Sequence, residues 1–128
     1  MSRPRAAFTL IELLIVVVII GILASIAIPK FQNTKGRANA AALRSDLRNL
    51  VVAQEAFFYE NKAYATDTAQ LNYRGTPGVV ITLSAPPGAA GWAATATHPL
   101  SYPLQCTVFM GAITPPPPTE NEGVPACR

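Results

Sequence analysis

Apolar residues run almost unbroken from Phe8 to Ile28, FTLIELLIVVVIIGILASIAI, relieved only by Thr9, Ser25 and a single charge, Glu12. At about 1.5 Å per residue these positions form a helix about 32 Å long, the thickness of a hydrocarbon core. A soluble domain of this size has no core thick enough to surround such a helix. The segment is therefore inserted in a membrane at some stage, packed among copies of itself, or both. Beyond Pro29 the pattern turns amphipathic. Leu43, Leu47, Leu50, Val51, Phe57 and Phe58 recur at steps of three, four and seven, and Lys35, Arg37, Arg44, Asp46 and Arg48 lie off that stripe. The stripe is predicted to pack on a sheet, with Phe57 and Phe58 entering the core. The period is lost near Asn61 to Ala63, which predicts one helix of about 53 residues. A shaft that packs against other shafts accounts for such a length. Gly21 costs about 1 kcal/mol relative to Ala inside it. Pro29 removes a backbone donor and clashes with the carbonyl of Ser25. Two consequences are open: local unwinding between Gly21 and Pro29, or a simple bend as the helix leaves the bilayer.

Residues 63–76 read as an irregular connection with a short helical turn near Asp67 to Leu71. Three strands follow: Val79 to Ser84, Trp92 to Thr97 and Cys106 to Met110. Pro86-Pro87-Gly88 turns the chain between the first two, and Pro99, Tyr102 and Pro103 lie in the second connection. Trp92 and Phe109 are expected core residues. The tail Ile113 to Arg128 contains PPPP, which favours an extended conformation, and is expected to lie across the sheet. The fold class is α+β, a long N-terminal helix packed on a small antiparallel sheet of about three strands.

Charge changes this picture little. The net charge is +3, or +1 without Arg3 and Arg5, and leaves no electrostatic footprint for nucleic acid. The chain has two cysteines, both far beyond the apolar segment. If that part is extracytoplasmic, Cys106 and Cys127 are expected to be oxidised to a disulfide; otherwise they are two free thiols. Two cysteines and His98 are too few for a typical zinc site. Asp67, Glu120 and Glu122 do not have EF-hand spacing. No GxSxG, HExxH, P-loop or Cys-x-x-Cys occurs. No enzyme activity, cofactor, metal or nucleotide is expected.

Glu12 carries the most information. An ionisable group in such a segment costs about 2.5–3.5 kcal/mol on insertion scales, so it needs a partner. No Lys or Arg lies between Arg5 and Lys30, so no cationic side chain of the apolar segment serves. Either an amine created by cutting the chain before Phe8 pairs with it, or it snorkels to the membrane interface. The preceding MSRPRAA is a short basic leader, and a cut there falls before the apolar run rather than after it, unlike a secretory signal peptide. Arg3 and Arg5 favour a cytoplasmic N-terminus, while Lys30, Lys35, Arg37 and Arg44 pull the other way.

Basic residues followed by AFTLIELLIVVVIIGILASIAIP resemble the N-terminus of type IV pilins and the related pseudopilins. The resemblance covers about 22 of the 128 residues and matches in both residue types and spacing. It implies cleavage between Ala7 and Phe8 by a prepilin peptidase and N-methylation of Phe8. The family's glutamate falls on Glu12, and its helix-breaking glycine and proline fall on Gly21 and Pro29. Ala7 departs from the usual glycine before the cut. The implied organisation is a leader (1–7), a hydrophobic assembly helix (8–29), the amphipathic half of the helix (30–62) and a C-terminal head (63–128). The Cys106–Cys127 pair would bound the family's variable surface loop, and Tyr64, Tyr73 and Arg74 fall in a segment that often lies at a subunit contact. The implied function is a structural pilus subunit serving adhesion, motility or DNA uptake. It waits in the inner membrane with its head extracytoplasmic, then enters an extracellular helical filament of identical subunits through an assembly platform and motor. Glu12 would pair with the Phe8 amine of a neighbour. The alternatives are a type II secretion pseudopilin and a membrane-anchored extracytoplasmic binding domain that never polymerises.

Overall fold

The computed structural model describes residues 7–101 and 104–128. Leader residues 1–6, and Tyr102 and Pro103 of the second connection, lie outside the described residues. Helix α1 spans Leu10–Asn61, 52 residues, and its helical assignment passes through Gly21 and Pro29 without a break. It stops where Lys62 turns to φ 57°. That left-handed residue donates its N–H to the Phe58 carbonyl at 2.8 Å, closing the last turn.

The chain divides into two compact units, one ending at Lys35 and the other running Gly36–Arg128. In the first unit every residue from Phe8 to Ile28 is exposed except the half-buried Ala24. Two hydroxyls of this unit bond the backbone: Ser25 Oγ donates to the Ile22 carbonyl at 2.7 Å, and Thr34 Oγ1 to the Lys30 carbonyl at 3.0 Å. The Ser25 hydroxyl, inside the apolar segment, is thus satisfied without water, as an apolar surrounding requires.

The second unit holds the core. The antiparallel sheet has order β1-β2-β3-β4, with β1 at Val80–Ser84, β2 at Gly91–Thr97, β3 at Gln105–Gly111 and β4 at Ala126–Cys127. Leu43, Leu47 and Leu50 of α1 are fully buried with Trp92, Ala94 and Ala96 of β2 and Cys106 and Val108 of β3. The alternation is that of a half-covered sheet: Trp92, Ala94 and Ala96 face the helix, and the residues between them are only half-buried. Small alanines on β2 leave the volume that the helix leucines fill.

Two expectations are corrected. Phe58 does not enter the core: it is 38% exposed and stacks on Tyr64 at 4.6 Å, while Phe57 is half-buried against the core. Asp46, placed off the apolar stripe, is buried. The sheet has a fourth strand, because Ala126–Cys127 pairs with Thr107–Cys106; two residues are too short to carry a period. The turn at Thr68–Gln70 falls where expected. It is closed by Asp67, which accepts from Ala69 N at 2.9 Å, and by Gln70, whose side chain reaches back to Asp67 N. Phe109 is buried, and Gly123 N donates to its carbonyl at 2.9 Å where the tail crosses β3.

Candidate assembly helix and head clasp

The start of α1 is set by Thr9 and Glu12. Thr9 N and Thr9 Oγ1 donate to Glu12 Oε2 at 2.8 and 2.7 Å, and Glu12 N donates to Thr9 Oγ1 at 3.3 Å. This reciprocal pairing is a capping box, Thr-x-x-Glu, satisfying two of the orphan donors at the helix N-terminus. Sequence reasoning sought a cationic partner for Glu12 and missed this one, although Thr9-Leu10-Ile11-Glu12 ahead of an apolar run is its standard signature. Both bonds from Thr9 end on Oε2. No bond to Oε1 is present among the described residues, so that oxygen is available to a donor from outside the chain.

Ala7 and Phe8 precede the helix in non-helical, exposed backbone, and Phe8 is 84% exposed. The Ala7–Phe8 bond is therefore accessible to solvent. Cutting it would leave Thr9 N in place as an amide, so the capping box would survive. Along the helix, Leu10, Leu13, Leu14, Val17 and Val18 line a shallow apolar groove. A Cβ added at Gly21 would meet nothing within 4 Å, so no contact within the chain requires a glycine there. Pro29 lies eight residues on in the same helix and leaves the Ser25 carbonyl without its usual donor.

The head carries the second set of residues. Cys106 and Cys127 form a disulfide, joining directly opposed residues of β3 and β4. Backbone bonds between Gln105 and Arg128, 3.0 Å in each direction, flank it, so the cysteines occupy the closer, non-hydrogen-bonded pair of the ladder. Arg44 Nε on α1 lies 3.3 Å from Cys127 Sγ. Nearby, Asp46 accepts from Thr76 N at 2.9 Å and from Thr76 Oγ1 at 3.0 Å. Gln54, fully buried, bonds Ala65 N at 2.9 Å and the Ala65 carbonyl at 3.0 Å. Together Asp46 and Gln54 fasten the connection after the helix back onto it.

Of the connection residues singled out from sequence, Tyr64 bonds Glu55 at 3.3 Å and Tyr73 folds inward. Burial, and then the charge of Asp46, push the Tyr73 phenol up to about 12. Its hydroxyl is buried and has no hydrogen-bond partner. Among the described residues no group of three or more His, Cys, Asp or Glu could hold a metal ion.

An apolar helix headed by a capped glutamate, continuing into a helix packed on a four-stranded antiparallel sheet, defines a pilin-like architecture. Residues 2–28 match the prokaryotic N-terminal methylation motif. The chain is 44% identical over 72 residues to the type IV major pilin protein PilA of Myxococcus xanthus, covering 56% of this chain and 33% of the relative. It is 38% identical over 81 residues to the type IV wide pilus major component PilA4 of Thermus thermophilus, covering 61% and 62%. It is also 34% identical over 62 residues to the type II secretion system core protein G of Pseudomonas aeruginosa, covering 48% and 44%. The chain thus spans between a third and just under two thirds of the length of these relatives. Over these stretches it is similar to type IV pilins. The pilin matches exceed the secretion match in identity and in extent along this chain, so the pilin reading is the better supported.

Proposed function

We propose that this chain is the structural subunit of a type IV pilus, made as a prepilin, cut between Ala7 and Phe8, and N-methylated on Phe8. The observation that carries the proposal is the methylation motif over residues 2–28, whose described helical part, from Leu10 on, has its large apolar side chains exposed. Such a surface needs an apolar surrounding, first lipid and then the helices of neighbouring subunits. Moving from one to the other leaves the apolar contacts nearly unchanged in free energy. What selects the filament is then polar: Oε1 of Glu12 receives the Phe8 amine of a neighbour, and a wrong axial register leaves an unpaired charge in an apolar bundle. The leader lies on the cytoplasmic side and the head outside. Prepilin peptidase, an assembly platform and a cytoplasmic motor act on the chain, which has no nucleotide-binding motif of its own. Its role is structural rather than catalytic, and serves adhesion, motility or DNA uptake.

Glu12→Gln and Glu12→Ala test this together. Gln can still accept from Thr9 at the capping position but carries no charge; Ala does neither. Both variants are expected to insert in the membrane normally and to lose surface filaments. Wild-type filaments from Glu12→Gln would overturn the charge-pair mechanism. Unchanged behaviour of both would favour a membrane-anchored domain that does not polymerise. The match to a type II secretion core protein supports a pseudopilin as the second reading, and sheared filaments from ordinary wild-type cells would count against it.

A further inference from the structure

The two sulfurs of the head disulfide sit in opposite environments. Cys106 Sγ belongs to a fully buried residue, enclosed with Leu43, Leu47, Trp92 and Val108. Cys127 is half-buried on a two-residue edge strand. Its sulfur lies 3.3 Å from Nε of Arg44, an exposed residue of α1. The β3 neighbours of the pair, Gln105 and Thr107, are uncharged. Arg128, next along the chain, is charged. A guanidinium that donates to sulfur stabilises a thiolate there, and a buried apolar site opposes one.

We infer that Cys127 is the exchange site of this disulfide: Arg44 makes it the nucleophile that accepts a disulfide oxidant, and Cys106 is the resolving thiol. In the reduced head the Cys127 thiolate attacks a sulfur of an oxidant R–S–S–R, the S–S bond of the oxidant breaks, and RS⁻ leaves. The product is a mixed disulfide on Cys127. Cys106 then loses its proton and attacks Cys127 Sγ, forming the Cys106–Cys127 bond and expelling the second RS⁻. Two protein thiols are oxidised and one oxidant disulfide is reduced to two thiols. Reduction follows the same path backwards, with the incoming thiolate attacking Cys127 and the buried Cys106 leaving. The oxidant class is any accessible disulfide, a small one or that of a dithiol oxidase. What is specific is the sulfur that receives it. The inference depends on the unit Gly36–Arg128 alone, and stands or falls separately from the filament assembly proposed above.

Two measurements on the full chain in detergent micelles test it. In the first, the oxidised protein meets limiting glutathione, free thiols are trapped with iodoacetamide, and the peptides are weighed. Glutathione is expected on Cys127 and the alkyl label on Cys106, by at least about ten to one. Equal labelling, or glutathione on Cys106, overturns the assignment. In the second, Cys106→Ser leaves Cys127 alone, and its rate with oxidised glutathione is followed against pH with and without Arg44→Gln. Removing the guanidinium is expected to slow the reaction at pH 7 by about 3–10-fold and to move the midpoint of the profile to higher pH, with Arg44→Lys restoring part of both. Superimposable profiles with and without Arg44 would mean that the guanidinium does not act on the thiol, whether or not β4 stays docked, and would overturn its role.

Discussion

Gln54→Leu is a severe test of how the head is held together. Gln54 is fully buried and bonds both the N–H and the carbonyl of Ala65, itself 1% exposed. Leucine fits the site roughly in size but can neither donate nor accept. Two buried backbone groups are then left unpaired, at about 1–3 kcal/mol each. The expected loss is about 2–5 kcal/mol, a large share of the stability of any domain this small. The only tryptophan, Trp92, is fully buried in the same core, so its fluorescence reports unfolding directly. In urea, with a slope of about 1–1.5 kcal/mol per M, the midpoint is expected to fall by more than about 1 M with the slope unchanged. Val52→Ala, on a residue 69% exposed, serves as control and should stay within about 0.5 kcal/mol. A loss below about 1 kcal/mol for Gln54→Leu would refute the claim that this side chain fastens the connection to the helix.

Two further outcomes follow from the head. The Tyr73 phenol is held protonated by burial and by Asp46, up to about 12, against about 10 in an unfolded chain. The contribution is therefore complete below pH 10 and is lost as pH rises toward 12, so alkaline unfolding should be steeper in wild type than in Tyr73→Phe, and one late phenolate absorbance step should vanish in the variant. Because the hydroxyl is buried without a partner, Tyr73→Phe should cost less than about 1 kcal/mol at neutral pH. Replacing Cys106 and Cys127 together by serine opens a cross-link between residues 21 apart, and should cost about 3 kcal/mol in the chain-entropy model; an unchanged urea midpoint would contradict that.

Much of this was legible from residue pattern. The period of Leu43, Leu47 and Leu50 located the buried face because three large apolar residues at helical spacing leave little choice of orientation. Val79 to Ser84 and Trp92 to Thr97 declared themselves as strands through β-branched residues and alternation. What escaped depended on distant partners. Phe58 follows the stripe in sequence, yet the helix face has turned outward by that position and the ring finds Tyr64 instead. Asp46 reads as a solvated charge until Thr76, 30 residues away, supplies its two donors. Gln54 is the same case with Ala65. Strand β4 has only two residues and exists because Cys127 is tied to β3. The capping box at Thr9 and Glu12 is different: its Thr-x-x-Glu pattern lies within four consecutive residues and needs no distant partner.

The most direct measurement is the intact mass and N-terminal sequence of protein sheared from the cell surface. The expected result is a chain beginning at N-methylated Phe8, two hydrogens lighter than its reduced mass, which would join cleavage at Ala7–Phe8, export into filaments and the Cys106–Cys127 bond in one observation. A chain that still begins at the leader and is found only in membranes would contradict the processed-filament function.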